Sequence, residues 1–229
     1  SLATPYESQA GRAGITLDLT PSSDMTIDSF DINVGDLNVA SGGGAGQTAI
    51  ISVYWRTGSA AGFSGNSSGW TLLGTSSVTS QGTQFPTHLP IGGLTVTAGQ
   101  TYGLYFDLQN YVPGSFVIRY NSSNVAPVSN ADLTIVAGEG KESPVFASGG
   151  FSPRLFSGAV YYTKVPTTTC ASEGYTGTKL TWCRNICEMG YTGATLDMWI
   201  HRWINRYRDL PYCAQEGGGE EEPPPQQPT

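Results

Sequence analysis

The sequence predicts a mainly β protein, an antiparallel, jelly-roll-like β-sandwich of about nine strands followed by a small disulfide-stapled α-helical hairpin. Three observations lead there. Through the first 163 residues, short runs alternate apolar with polar side chains and are separated by Gly, Ser, Pro and Asn clusters, with no helical periodicity between them. From Cys170 onward the composition changes: all four cysteines and three of the five tryptophans lie there, and none of the eight phenylalanines. Finally, "GYTG" occurs twice in that last part, each time ahead of a helix-like stretch.

Taken in order, "GITLDL" sets Ile15, Leu17 and Leu19 on one face against Thr16 and Asp18. In "MTIDSFDINV", Ile27 falls out of phase with Phe30, Ile32 and Val34, which predicts a bulge between them. "TAIISVYWR" alternates Ile51, Val53 and Trp55 with Ser52, Tyr54 and Arg56. "QTYGLYFDL" alternates Tyr102, Leu104 and Phe106 with Gly103, Tyr105 and Asp107. Further runs at 70–79, 115–120, 131–136 and 155–163 complete the set. Breakers such as "ASGGGAG", "SAAGFSGNSSG" and "YVPGS" supply the turns. The sandwich is expected over 1–163 and a Pro/Thr connector over 164–169.

Residues 170–213 form the hairpin. Leu196, Trp199, Ile200, Trp203, Ile204 and Tyr207 fall at i, i+3, i+4, i+7, i+8 and i+11, one apolar stripe of a helix that Pro211 stops. A shorter helix is expected over 178–189, ended by Gly190, with Cys183 and Cys187 where the second repeat has Ile200 and Ile204. So small a segment cannot bury enough surface alone, and Cys170, Cys183, Cys187 and Cys213 are expected to staple it in an oxidising, extracellular setting. An antiparallel return brings Cys213 to the start of the first helix, favouring Cys183–Cys213 with Cys170–Cys187. The alternative is Cys170–Cys183 with Cys187–Cys213. A zinc site is the rival reading, although C-x12-C-x3-C-x25-C lacks the C-x2-C knuckle and His201 is the sole nearby imidazole. Residues 214–229 are acidic, then Pro-rich, and read as a disordered, partly polyproline II tail.

Charged residues make up 13% of the 229, and the formal net charge is −7. Without a basic field, nucleic-acid binding is not expected. No apolar run is long enough to span a membrane as a helix. The chain opens Ser-Leu-Ala-Thr-Pro and reads as a processed form or a fragment.

The search for chemistry yields little. Two histidines, His88 and His201, limit His-based catalysis, and no G-x-S-x-G elbow surrounds a serine. Asp24, Asp28, Asp31, Asp36, Asp107, Glu139 and Glu142 are the carboxylates a glycoside hydrolase could use, but none sits in an acid/base context. "DSFDINVGDLN" has oxygens enough for Ca²⁺ without being an EF-hand, so calcium is a weak candidate and no cofactor is otherwise implied. Exposed aromatics beside polar partners suit glycan binding: Tyr54, Tyr105, Tyr111 and Tyr120, with Asp107 and Arg119. Asn66 and Asn121 each begin an N-S-S acceptor sequence.

The ordered phrases "SVYWRTGSAAGF", "GWTLLGTSSVTSQGT", "AGQTYGLYF", "NADLTIVAGEGKESPVF" and "FSPRLFSGAVYY" resemble a β-sandwich domain of exported bacterial cell-surface, adhesin-type proteins over about residues 5–163. The resemblance implies fold and location and transfers no functional residue. The expected function is non-catalytic binding or adhesion at a cell surface, directed at a glycan or another surface component. One alternative is an assembly subunit that self-associates through Trp199, Trp203 and Tyr207 of the hairpin or through a sandwich edge. Another is a carboxylate hydrolase.

Overall fold

The computed structural model describes residues 1–165 and 169–215, which fall into two compact units dividing between 165 and 166. The division lies inside the expected connector. The rest of that connector, 166–168, and the tail from 216 lie outside the described residues.

The first unit contains β1 (Leu2–Ala3), β2 (Ala10–Arg12), β3 (Gly14–Pro21), β4 (Met25–Ile32) and β5 (Val34–Asp36). Next come β6 (Thr48–Thr57), β7 (Thr71–Thr79), β8 (Thr87–Leu89), β9 (Leu94–Val96) and β10 (Tyr102–Leu108). The series ends with β11 (Phe116–Asn121), β12 (Val128–Ser129), β13 (Leu133–Lys141), β14 (Phe151–Phe156) and β15 (Gly158–Lys164). The larger, ten-stranded sheet runs β2-β11-β14-β13-β3-β10-β6-β7, with β5 added on β11 and β12 on β13. The smaller, five-stranded sheet runs β1-β15-β4-β8, with β9 also on β4. Every strand pair is antiparallel.

The two sheets share one apolar core, as the alternating runs require. Ile15, Leu17 and Leu19 of β3, Ile51 and Val53 of β6, and Leu104 and Phe106 of β10 face Met25, Ile27 and Phe30 of β4 and Val160 of β15, all fully buried. Phe30 of the small sheet meets Phe106 of the large one edge-on, ring centroids 5.0 Å apart. Each such large side chain stabilises by about 2 kcal/mol through area removed from water. The expected bulge is present: Tyr161 pairs with Ser29 and Tyr162 with Ile27, leaving Asp28 as the extra residue.

Two features correct the strand reading. Among the described residues there are fifteen strands, because two- and three-residue strands are too short to show periodicity. The 155–163 run is also broken at Ser157, where the chain passes from the large sheet (β14) to the small one (β15). Asn33 is the matching corner between β4 and β5. The two corners clasp each other: Asn33 N–H donates to Ser157 O at 3.0 Å, and Asn33 Nδ2 to Ser157 Oγ at 3.1 Å. Asn33 Nδ2 also reaches Tyr6 O and Ser8 Oγ, while Asn33 Oδ1 accepts from Gln84 N–H. A fully buried amide is thereby satisfied at the point where a continuous strand would lose its ladder.

The second unit has α1 (Gly177–Cys187), α2 (Gly193–Tyr207) and a short α3 (Tyr212–Gln215). The sequence repeat is also a backbone repeat. Thr176 and Thr192 are extended (φ −131° and −134°) and lead into Gly177 and Gly193 at φ +54° and +56°. The apolar stripe of α2 packs on α1 around Trp203, which is fully buried along with Cys170 and Cys183 and beside the buried Ile186. Trp203 is therefore the centre of the hairpin core and offers no surface for self-association. Trp199 and Tyr207 are half-buried, and Ile204 at the edge of the stripe is exposed.

The disulfides are Cys170–Cys183 and Cys187–Cys213, which overturns the favoured pairing and upholds the alternative. The reason lies after α2. Arg208 takes a left-handed conformation (φ 61°), and the chain does not stop beside the start of α1 but doubles back along it. Asp209 meets Lys179 near the first turn of α1 (3.4 Å), and Cys213 reaches Cys187 at its last residue.

Candidate functional site

The outer face of the large sheet is where loops and unusual side chains concentrate. The β6–β7 loop (58–70) and the β13–β14 loop (142–150) fold back over β10 and β3. Gly103 of β10 permits the first crossing, since a Cβ there would lie 2.7 Å from Ala60 N. Asp18 of β3 then holds that loop, accepting from Ala60 N–H at 2.7 Å and from Ser59 Oγ at 2.5 Å. Ser64 Oγ donates to Glu139 Oε2 at 2.5 Å. Lys141 Nζ donates to Ser64 Oγ at 3.1 Å and to Gly149 O, tying one loop to the other, with Glu139 at 3.6 Å. Lys141 is fully buried, so these partners offset its desolvation.

On this anchored base stands an aromatic cluster. Phe146 packs edge-on against Tyr54 (5.1 Å) and Tyr105 (5.2 Å), and Trp70 lies 5.9 Å from both Tyr105 and Phe146. Trp70 Nε1 donates to Phe63 O at 3.0 Å. The Arg56 guanidinium sits 3.5 Å above the Phe63 ring and 6.0 Å from that of Trp70. Leu72 of β7 pairs with Tyr54 and is 52% exposed, and Phe63 is 45% exposed. The result is a raised aromatic surface of Tyr54, Phe63, Trp70, Leu72 and Phe146, edged by Arg56 and by the exposed Asn66. It is open in form, and no pocket is found among the described residues.

The residues singled out from the sequence divide. Tyr54 belongs to this surface. Tyr105 does too, but as its floor: it is fully buried beneath Phe146 and Trp70, and burial with the nearby Asp107 pushes its hydroxyl pKa up. Asp107 lies on the same sheet face, buried, accepting from Gln109 Nε2 at 2.5 Å, and burial pushes its carboxyl up to about 6. Arg119 and Tyr120 are corrected outright. Arg119 is 4% exposed and donates to Ser8 Oγ, Ser8 O and Leu37 O, so it clasps the N-terminal segment to β11. Tyr120 lies in the sandwich core. Tyr111 stands apart, half-buried, donating to Glu142 Oε2 at 3.3 Å.

Phe63, Trp70, Leu72 and Phe146 were missed. Phe63 sits within a Gly/Ser breaker and Trp70 just beyond its end, where an aromatic side chain has no core position to fill, and that was the available signal. Of the two glycosylation acceptors, Asn66 is exposed beside the platform, whereas Asn121 is buried with Nδ2 donating to Pro5 O.

Asp107 and Glu139 both lie near Tyr105, and the other carboxylates have separate partners. Asp24 accepts from Ala98 N–H, Asp28 from Thr163 Oγ1, Asp36 from Asn38 N–H, and Glu142 pairs with Arg12 at 2.6 Å. Asp31, on the small sheet, lies 3.0 Å from His88 Nδ1 and accepts from the Tyr161 hydroxyl at 2.7 Å. His201 is exposed, with Nδ1 3.2 Å from Asp197 O. Among the described residues, the one group of three or more His, Cys, Asp or Glu ligand atoms drawn together is cysteine sulfur. No helix among the described residues is long and apolar enough to cross a membrane. No protein-family model matches the sequence, and no curated protein matches it.

Proposed function

We propose that the protein is a non-catalytic binding module, displayed outside the cell, that holds a glycan on the aromatic platform of the large sheet. The observation that carries this reading is an aromatic and aliphatic surface on strands and loops, with Phe63 and Leu72 exposed and Tyr54, Trp70 and Phe146 half-buried, that buried polar contacts fix from below. Sugar rings present flat C–H faces that pack on such side chains, and Arg56 and Asn66 supply a charge-assisted donor and an amide at the rim. A fixed surface loses little conformational entropy on binding. The extracellular setting is supported by two disulfides in a unit whose apolar core is small.

The test is a glycan-array screen followed by calorimetry with Phe63→Ala, whose ring is exposed enough to be removed without opening the core. Binding at least ten-fold weaker, with the melting temperature kept within about 2 °C, is the expected outcome. Wild-type affinity in that variant overturns the platform.

A second reading, self-assembly through the hairpin, draws on Met189, Tyr191, Met198 and Ile204, which are exposed on the second unit. Light scattering across a concentration series separates the two: a monomer at all concentrations removes the assembly reading. The hydrolase reading has no comparable support, since its carboxylates are engaged with the separate partners given above.

A further inference from the structure

Three sulfur atoms meet in the second unit, and a fourth is bonded to one of them. Cys183 and Cys187 lie one turn apart on a single face of α1, and their Sγ atoms are 4.0 Å apart although they belong to different disulfides. Cys170 Sγ lies with these two in a set whose members are all within 4.8 Å of one another. Cys213 Sγ is bonded to Cys187 Sγ, and Cys213 is exposed at the rim. A zinc ion held by four thiolates, at Zn–S about 2.3 Å, spaces its sulfurs about 3.8 Å apart. The unbonded Cys183–Cys187 pair already has nearly that spacing. Reduction frees the two bonded pairs to part, with Cys213 Sγ, until then joined to Cys187, as the fourth thiolate.

We propose that when both disulfides are reduced, Cys170, Cys183, Cys187 and Cys213 become a tetrahedral site for one soft divalent cation, Zn²⁺ above all. The metal takes over the work of the two staples, since it ties together the same three pieces: the turn before α1, α1 itself, and the segment that doubles back after α2. Each disulfide gains two electrons and two protons from a dithiol, which leaves as its own disulfide. The four thiols then release four protons as the cation binds, giving a complex of charge −2. All-sulfur ligation selects a soft ion over Mg²⁺ or Ca²⁺. The linear spacing hides the site because two ligands come from successive turns of a helix, not from a C-x2-C knuckle, and the other two are delivered by chain reversals. The inference is independent of the glycan platform.

The test uses the full chain, reduced with dithiothreitol and desalted without oxygen, then titrated with Co²⁺ and afterwards Zn²⁺. One Co²⁺ per chain is expected, with the strong visible bands of tetrahedral four-sulfur cobalt, bleached by one equivalent of Zn²⁺. All four cysteines should alkylate at least ten-fold more slowly in the zinc form. Absence of a saturable one-to-one complex overturns the proposal, as does a complex in which Cys170 or Cys213 still alkylates at the metal-free rate. The double variant Cys183→Ser/Cys187→Ser should lose the bands, and if it keeps them the metal sits elsewhere and the proposal fails. The spectra read the ligands directly, so the test stands even if the reduced hairpin does not fold without metal.

Discussion

Asp107 shows what burial under a loop does to one side chain. Its carboxyl titrates at about 6 in the folded chain, against about 3.9 when unfolded. Between those values the folded state keeps a proton that the unfolded state releases, so stability falls as pH rises from about 4 to about 6 and is level above. Asp107→Asn keeps an acceptor for Gln109 and removes the buried charge. It should stabilise by about 3 kcal/mol at pH 7.5 and by almost nothing at pH 4, read from thermal melts at the two pH values. Equal gains at both would contradict the assignment. Asn33→Leu tests the corner. With the donors to Tyr6 O and Ser157 Oγ gone and Gln84 N–H left unpaired, a loss of about 3 kcal/mol in urea unfolding is expected. At this scale the sequence was partly legible. Alternation placed Tyr105 and Asp107 opposite Leu104 and Phe106, as they are, but nothing local showed that two loops distant in the sequence would cover them. A face read as wet became a second buried layer.

At the scale of elements, the bulge in β4 was legible because one out-of-phase isoleucine has no other way to reach the core. The disulfide pairing was not, because it depends on the path of the chain after α2, where Arg208 in a left-handed conformation starts the reversal. The doubled "GYTG" carries its own prediction. Replacing a helical glycine by alanine ordinarily stabilises by about 1 kcal/mol. Gly193, at φ +56° with open space where a Cβ would go, should instead lose about 1 kcal/mol on Gly193→Ala, from backbone strain alone. The hairpin transition of the oxidised protein measures the sign, and a gain would show that the positive φ is not required.

For the whole molecule, the cysteine-free stretch of 169 residues already marked where one unit ends and another begins. Closing loops with sequence separations of 13 and 26, the two disulfides contribute about 3 kcal/mol each by constraining the unfolded chain. Reduction in the presence of a chelator should therefore melt the hairpin, seen as lost helical circular dichroism, while the sandwich transition stays within about 1 °C. Joint loss of both would contradict the division into two units. The function was less legible than the division, because a binding surface made of loop aromatics has no spacing to read. The most direct test of the central claim is a ¹H–¹⁵N correlation spectrum of the full chain titrated with the best oligosaccharide from the screen. The platform predicts shifts concentrated in residues 54–72 and 142–150 and at the Trp70 indole N–H. Shifts centred on the hairpin or on the small-sheet face around Asp31 and His88, or none with any oligosaccharide, would contradict it.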